Sequence, residues 1–307
     1  MVQTRVRPYG PEAIAAAARL IERGFPVAVP TETVYGLAGD ATNGEAVARI
    51  YEAKGRPSFN PLIVHVLNAK QAADIGAFND EARRLAELHW PGPLTLVLPL
   101  RPGSGLSSLV TSGRPTVALR APAHPAMRDL LIATNRPLAA PSANASGRIS
   151  PTRAEHVKES LRGRVKLIID GGPTAVGLES TIVATDGPKL RLLRPGPIDL
   201  RLPLAAGGAV EAPGQLTSHY APSKPLRLDA RQAEKGEWLI GFGPVDGDST
   251  LSAAGDLVEA AARLFDRLHE ADRQPRPRIA VAPVPDEGLG LAINDRLRRA
   301  AAGRRGG

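Results

Sequence analysis

The chain has 307 residues, 43% hydrophobic and only 4% aromatic, with 31 glycines and 29 prolines in no periodic arrangement; this excludes a collagen-like or disordered chain and makes two globular domains the default. With no cysteine, disulfides, a thiolate nucleophile and a cysteine zinc site are excluded, and no stretch approaches the roughly 18 apolar residues of a membrane span. The net charge is +8, but five Arg and one Asp within residues 295–307 supply +4 of it, so the rest is mildly basic, a balance that permits nucleic-acid binding without demonstrating it.

Met1 to Pro8 lacks the apolar stretch of a signal peptide, and a soluble cytoplasmic protein is expected. Pro11 to Arg23 reads as an amphipathic helix stopped by Gly24, followed by a short buried strand over Phe25 to Val29. Gly44 to Ala53 reads as a helix with Asn43 as N-cap. Leu62 to Val66 is a strand, and Asp80 to His89 a helix capped by Asp80 and stopped at Trp90-Pro91-Gly92. Strands are expected over Leu94 to Leu98, Thr116 to Leu119 and Pro137 to Ala140, then a helix over Thr152 to Leu161 capped by Thr152. Further strands follow at Val165 to Ile169, Thr181 to Ala184 and Leu190 to Leu193. Such alternation predicts an α/β or α+β domain, its sheet covered by helices. Arg194-Pro-Gly-Pro197 is a stiff turn, and the Ala/Gly/Pro-rich stretch from Leu204 to Gly214 has the composition of a linker. Beyond it, strands at Leu226 to Leu228, Trp238 to Phe242 and Arg278 to Ala282 alternate with helices over Ser252 to Ala271 and Glu287 to Ala301, the order of a small Rossmann-like unit. No Gly-x-Gly-x-x-Gly marks a dinucleotide site there. The tail from Arg296 to Arg305 reads as a solvated helix end, where arginine is favoured.

Polar clusters beside these strands carry the chemistry. Lys54, Arg56 and Asn60 lie between a helix and a strand, and a triphosphate needs several cations and directed donors. A lone Lys-x-Arg pair is ordinarily a solvated loop, but Asn60-Pro61 pins this one at a strand start. His65 points opposite to Val64 and Val66, and a lone strand histidine is more often structural than catalytic. Arg120 ends a strand, where it either escapes to water or receives a carboxylate. The small residues of Pro141-Ser-Ala-Asn-Ala-Ser-Gly147 let backbone N–H groups approach an anion, although an ordinary turn accounts for the segment equally well. Ser142 lacks the Gly-x-Ser-x-Gly elbow, and no P-loop is present. Asp170-Gly-Gly-Pro-Thr174 reads as a strand-ending turn, and the hydroxyls of Leu178-Glu-Ser-Thr181 can face the same cleft.

In order along the chain, Pro30-Thr-Glu-Thr33-Val-Tyr35-Gly36-Leu, Lys54-Gly-Arg56-Pro with Asn60-Pro-Leu-Ile-Val-His65, Trp90-Pro-Gly-Pro-Leu-Thr95, Val117-Ala-Leu-Arg120, Pro141-Ser142-Ala-Asn144 with Ser146-Gly147, and Glu179-Ser180-Thr181-Ile with Arg194-Pro-Gly resemble the threonylcarbamoyl-adenylate synthase family. His219-Tyr220-Ala-Pro222 and Gly290-Leu-Ala-Ile-Asn294-Asp-Arg296 resemble landmarks of its long, two-domain form, so the likeness spans nearly the whole chain. Glu32 departs from the Asp common there, and the linker is short. The resemblance implies a YrdC-like α/β fold: a twisted open mixed sheet with helices and a concave positive cleft over residues 1–200, a linker or lid over 201–223, and a small Rossmann-like α/β domain over 224–307. It implies synthesis of L-threonylcarbamoyl-AMP and diphosphate from L-threonine, bicarbonate or carbon dioxide, and ATP, for threonylcarbamoyladenosine modification of tRNA beside the anticodon. Thr33, His65, Arg120, Ala140 and Ser180 would form the threonine pocket. Lys54, Arg56, Asn60, Thr116, Ser142, Asn144, Ser150 and Arg194 would hold ATP, with Tyr220 closing over it, more so than His219; Lys54 and Arg56 are also the catalytic pair. Mg²⁺ would come with ATP and no protein side chain would ligate it. The partners implied are ATP, L-threonine, bicarbonate and, transiently, the tRNA threonylcarbamoyl-transferase machinery, with weak or no direct tRNA binding and no membrane. Two alternatives stand beside this: a double-stranded RNA or ribosome-precursor binding module without catalysis, and a carbamoyl-transfer enzyme like the hydrogenase-maturation proteins, which carry cysteine zinc motifs that this chain lacks.

Overall fold

A computed structural model describes residues 3–187, 189–205, 211–214 and 218–302. Ten strands form one mixed sheet: β1 (Arg5–Pro8), β2 (Val27–Pro30), β3 (Tyr35–Asp40), β4 (Ile63–His65), β5 (Leu94–Pro99), β6 (Thr116–Arg120), β7 (Leu138–Ala139), β8 (Leu167–Asp170), β9 (Thr181–Ala184) and β10 (Arg191–Arg194), in the order β1-β8-β2-β3-β7-β4-β6-β5-β9-β10. The helices among them are α1 (Pro11–Glu22), α2 (Gly44–Lys54), α3 (Ala69–Ile75), α4 (Asp80–His89), α5 (Ser108–Thr111), α6 (Pro125–Thr134) and α7 (Ala154–Ser160). A second, all-parallel sheet in the order β11-β14-β12-β13 comprises β11 (Leu226–Arg227), β12 (Glu237–Gly241), β13 (Ser249–Thr250) and β14 (Arg278–Val281), with α8 (Leu257–Arg273) and α9 (Leu289–Ala302) packed on it. The expected α/β fold class with a smaller Rossmann-like unit is therefore present.

Local chemistry sets the helix starts. Asn43 accepts from the N–H groups of Glu45 and Ala46, as expected of an N-cap. The cap of α4 is Asn79, which accepts from Ala82, rather than Asp80, which is already inside the helix. The expected cap at Thr152 is also displaced: α7 begins after Arg153 without a side-chain cap, and the Thr152 hydroxyl faces His156 Nδ1 at 3.4 Å instead.

The faces of the large sheet are covered unequally, and this places the site. Val27, Val29 and Ala38 pack under α1 and α6, and the broad core on the other side takes residues from α2, α4 and α7. On the β4–β6–β5–β9–β10 half, Ile63, Val97, Ala118, Ile182, Ala184 and Leu193 form a small apolar group against which Ala205 and Ala212 of the linker pack. Short linker segments cover that face, and the ends of β4 and β6 lie buried beneath such a cover, in the region where α/β sheets bind a ligand. The expected linker residues 206–210 and 215–217 lie outside the described residues, as do Arg304 and Arg305 of the tail.

The two halves meet along α7 and α8. His156 and His269 stack with ring centroids 3.8 Å apart and 15° between planes, beside Asp266 and the Arg153–Asp266 ion pair. Burial lowers both imidazoles, His156 to about 3 and His269 to about 4, with the positive charge of Arg273 adding to each. Because both folded values lie below the unfolded one, their contribution to stability is complete above about pH 6.5 and is lost as pH falls toward those values. The melting temperature is therefore expected to fall on acidification through this window, and His156→Phe with His269→Phe should flatten part of that fall. An unchanged slope in the double variant would refute the assignment.

Candidate active site

Loops and strand ends from along the chain converge on a cavity of about 40 Å³, whose wall includes Thr33, Arg56, His65, Arg120, Ala140, Ser142, Ser180, Arg194 and Tyr220. His65 and Arg120 end β4 and β6 and are direct partners in the parallel register, so both project from the same face. Ile63, two residues before His65, takes the Ala140 N–H on its carbonyl at 3.0 Å and draws the 141–150 segment against the strand.

Arg120 spends three of its five N–H donors on the protein and keeps two. Its Nε donates to the Gly92 carbonyl at 3.2 Å, Nη1 to Thr33 Oγ1 at 2.9 Å and Nη2 to Glu32 Oε1 at 2.6 Å. The other Glu32 oxygen accepts the Ala123 N–H. Burial alone would raise the Glu32 carboxyl; the facing Arg120 guanidinium holds it below its ordinary value. The longer Glu at this position thus reaches both the guanidinium and the backbone beyond β6. Thr31, to which the sequence assigned no role, bonds Thr33 Oγ1 at 2.8 Å and accepts the Thr33 and Val34 N–H groups, fixing the turn. His65, read as a structural residue on its own, leaves Nδ1 buried without a partner in the cavity wall. Burial, reinforced by Arg120, pushes it down to about 3, so it is neutral near pH 7.

Three buried cations stand opposite. Lys54, 2% exposed, donates to the Ser142 and Asn144 carbonyls at 2.5 Å each. Arg56 donates Nη2 to Asn60 Oδ1 at 2.6 Å and to the Pro61 carbonyl at 3.0 Å. Arg194 forks onto Ser180, Nε to its carbonyl and Nη2 to its Oγ, both at 3.0 Å. Among the described residues none of the three has a carboxylate within ion-pair distance, although most of the chain's buried or half-buried arginines do. Burial depresses all three, Lys54 well below its ordinary value and Arg56 to about 10. Uncompensated buried cations are costly; Arg56 and Arg194 share the cavity wall, and Lys54, which does not line it, holds the carbonyl of the wall residue Ser142, so the arrangement is an anion site in waiting.

Of the remaining expected residues, Asn60 holds Arg56, Asn144 braces the loop through the Ala145 and Arg148 carbonyls while its Oδ1 has no partner, and Ser150 donates to Glu179 Oε1 at 2.5 Å. Thr116 starts β6 opposite Pro99 and does not reach the wall. The Thr181 hydroxyl is spent on the Ile198 carbonyl, so of the two hydroxyls in that motif only Ser180 faces the cleft. Asp170 Oδ1 accepts the Gly172 N–H, the strand-ending turn expected. Gly196 packs so closely that a Cβ there would lie 2.4 Å from Thr181 N, which holds the Arg194 loop against β9.

The cavity is closed on one side by Pro213, Gly214, His219 and Tyr220. Tyr220 adopts φ 62, packs 5.5 Å from Phe265 of α8, and leaves its buried hydroxyl without a partner. His219, expected to matter less, lines the wall too, with Nδ1 equally unpartnered. Glu179 and Arg296 were missed. Glu179 lines the wall, and Arg296, expected to be solvated with the tail, is fully buried because it pairs with Glu179 at 3.0 Å.

A mixed sheet bearing a small pocket lined by Arg56 and Arg194, without carboxylate partners among the described residues, beside an Arg120 held by Glu32 and Thr33, is the arrangement of a nucleotide-handling enzyme of the α/β class. A family profile described as "Telomere recombination" matches residues 19–196, and one described as "Threonylcarbamoyl-AMP synthase, C-terminal domain" matches residues 191–302. The chain is 41% identical to the threonylcarbamoyl-AMP synthase of Bacillus subtilis over 95% of its own length and 93% of that protein's. It is 40% identical to that of Pyrococcus abyssi over 94% of each. The crystal structure of P. abyssi Sua5 complexed with L-threonine superposes with a TM-score of 0.89 at 37% identity, covering 99% of this chain and 98% of that one. The chain belongs to the threonylcarbamoyl-AMP synthase family, in its two-domain form.

Proposed function

We infer that the chain joins L-threonine, carbon dioxide or bicarbonate, and ATP into L-threonylcarbamoyl-AMP and diphosphate, the activated intermediate for threonylcarbamoyladenosine in tRNA. The observation that carries the residue roles is that Arg56 and Arg194, both buried and without a carboxylate within ion-pair distance among the described residues, share the cavity wall with Arg120, while buried Lys54 holds the Ser142 carbonyl at that wall. Residues 1–200 serve as the catalytic domain, 201–223 as the lid and 224–307 as the small domain.

Arg120 receives the threonine carboxylate, with Thr33, Ala140 and Ser180 around it and neutral His65 offering its unmatched Nδ1. Held there, the threonine amine adds to carbon dioxide, forming an N–C bond and releasing a proton to give a carbamate. One carbamate oxygen then attacks the α-phosphorus of ATP. The bond from that phosphorus to the bridging oxygen breaks, and diphosphate leaves with the electron pair. Such a displacement asks the protein mainly for alignment and charge neutralisation. Lys54, Arg56 and Arg194 supply the charge, and Asn60, Ser142, Asn144 and Ser150 the directed polar contacts. Thr116, away from the wall, touches ATP only if the nucleotide extends past the cavity. A 40 Å³ space admits a few waters, so ATP entry requires the Pro213–Gly214 and His219–Tyr220 wall to move outward and re-close, keeping water from the labile mixed anhydride.

No wall carboxylate is free to ligate a cation: Glu179 is engaged by Ser150 and Arg296, and Glu32, beside the wall, by Arg120. Among the described residues no group of three or more His, Cys, Asp or Glu side chains can hold a metal. Mg²⁺ would enter with the phosphates of ATP and help neutralise their charge, and no step here is assigned to it. No helix among the described residues is long and apolar enough to cross a membrane, and the substrates are small and polar. Contact with the transferase machinery is transient in this reading.

Lys54 makes binding proton-linked. Burial, with Arg56 second, depresses its ammonium, and a bound phosphate would restore it. ATP is expected to bind more weakly as pH rises through the range between the depressed ammonium and the ordinary lysine range, with proton uptake on binding. Calorimetric titration in two buffers of different ionisation enthalpy reads both. Absence of binding, or binding that releases protons, would sink this assignment.

A further inference from the structure

Arg296 sits on α9, in the small-sheet half, yet its side chain is completely buried against the large-sheet half. Its Nε donates to Glu179 Oε2 at 3.0 Å, and its Nη1 to the Pro195 carbonyl at 2.8 Å and to Asp295 Oδ2 at 3.0 Å. Glu179 immediately precedes Ser180, and Pro195 immediately follows Arg194, two residues of the cavity wall. Through its other oxygen Glu179 holds Ser150. On its other side, the Arg296 guanidinium carbon lies 5.5 Å from the centroid of the Tyr220 ring, within cation–π reach. One side chain from the small half therefore touches the loop before β9, the loop after β10, and the ring that closes the cavity.

A staple between two halves does not require this. The interface already has one in Arg153–Asp266, Arg148–Asp272 and Arg273–Glu159, partly exposed pairs involving α8 whose residues do not line the cavity. A buried arginine pair is a poor stabiliser compared with hydrocarbon of the same volume, because both ions are taken out of water. What it supplies is a fixed geometry: a planar fork that sets two backbone segments relative to each other. The net charge fits as well. Arg296 faces Glu179 and Asp295, and Asp295 also takes Arg299, so two cations balance two carboxylates and the Glu179 charge does not repel a phosphate.

We propose that Arg296 is a positioning residue of the adenylation site, setting the Glu179–Ser180 and Arg194–Pro195 segments, and with them Ser150, at the spacing the nucleotide needs, and coupling that spacing to the seat of Tyr220. The proposal rests on the reading of the cavity as the ATP and threonine site.

The test uses the full-length protein and two variants. Arg296→Lys keeps a positive charge for Glu179 but cannot fork onto Pro195 as well. The Arg296→Met, Glu179→Gln double variant removes both buried charges, so neither is left unpaired. Both are expected to melt close to wild type. Both should nonetheless raise the KM for ATP and lower kcat/KM for threonine-dependent diphosphate release, the double variant by about a hundredfold, the scale of a 1 Å misplacement. Arg296→Lys should fall between it and wild type. A purely structural arginine predicts the reverse, kinetics that recover along with the melting temperature. Wild-type KM for ATP and kcat in Arg296→Lys would overturn the proposal, as would wild-type kinetics in the double variant. If the double variant does not fold, Arg296→Lys decides alone. Wild-type enzyme is the control: without threonine-dependent turnover the reading of the cavity fails, whereas normal wild-type turnover with unperturbed variants overturns the role of Arg296 only.

Discussion

Arg56→Ala is expected to lower kcat/KM for threonine-dependent diphosphate release by about 10² to 10³, the cost of removing one preorganised donor from a developing charge, while leaving the fold intact. The reason lies in how Arg56 is held. It is 8% exposed, has no carboxylate partner, and makes its hydrogen bonds to Asn60 and Pro61. Its burial is costly for the protein alone, and removing it leaves only neutral acceptors behind, with Tyr51 still bonded to the Asn60 carbonyl. The melting temperature should therefore stay at or near that of wild type. Steady-state kinetics beside a thermal melt separate the two effects. Turnover at the wild-type rate would remove Arg56 from the site, and a large drop in melting temperature would make it a structural residue instead.

Arg120 should behave in the opposite way. Arg120→Gln is expected to raise the KM for L-threonine by about a hundredfold, in line with losing a buried charge-assisted contact worth about 2–5 kcal/mol, and also to destabilise the fold. Glu32 would be left as a buried carboxylate facing no cation, a cost of about 3–5 kcal/mol. Adding Glu32→Gln removes that second cost and not the first. The double variant should melt near wild type and still bind threonine poorly. Recovery of threonine affinity with stability would mean that Arg120 supports the turn at Thr33 and does not receive the substrate.

The contrast between these two arginines also marks how far the sequence could be read. Elements bounded by strong local signals were legible: α2 between Asn43 and Gly55, and α1, which ends at Glu22 with Arg23 as its cap, just before Gly24, where φ is 74. β3 was not, because Tyr-Gly-Leu-Ala-Gly-Asp has two glycines and no alternation, and all six residues are buried. β1 was missed because Arg-Val-Arg-Pro resembles an exposed tail; it is an edge strand paired only with β8. α6 begins after His124, a residue that seldom caps helices, yet here it accepts the Ala126 N–H.

At the site, ordered motifs announced which residues gather. They did not announce which were already spent. Nothing local shows that Arg120 is held by Glu32 and Thr33, or that Thr181 turns to Ile198 while Ser180 faces in. Glu179 and Arg296 are 117 positions apart, and an arginine in an Arg-rich final helix has every local reason to be solvated. Only the packing of α9 against the loops of the large sheet makes it a buried ion.

The most direct measurement is diphosphate release from ATP by the purified protein, with and without L-threonine and bicarbonate. The account predicts release that requires both, stoichiometric with threonylcarbamoyl-AMP detected by mass spectrometry. Release that proceeds equally without threonine, or none at all alongside salt-sensitive binding of duplex RNA, would contradict it.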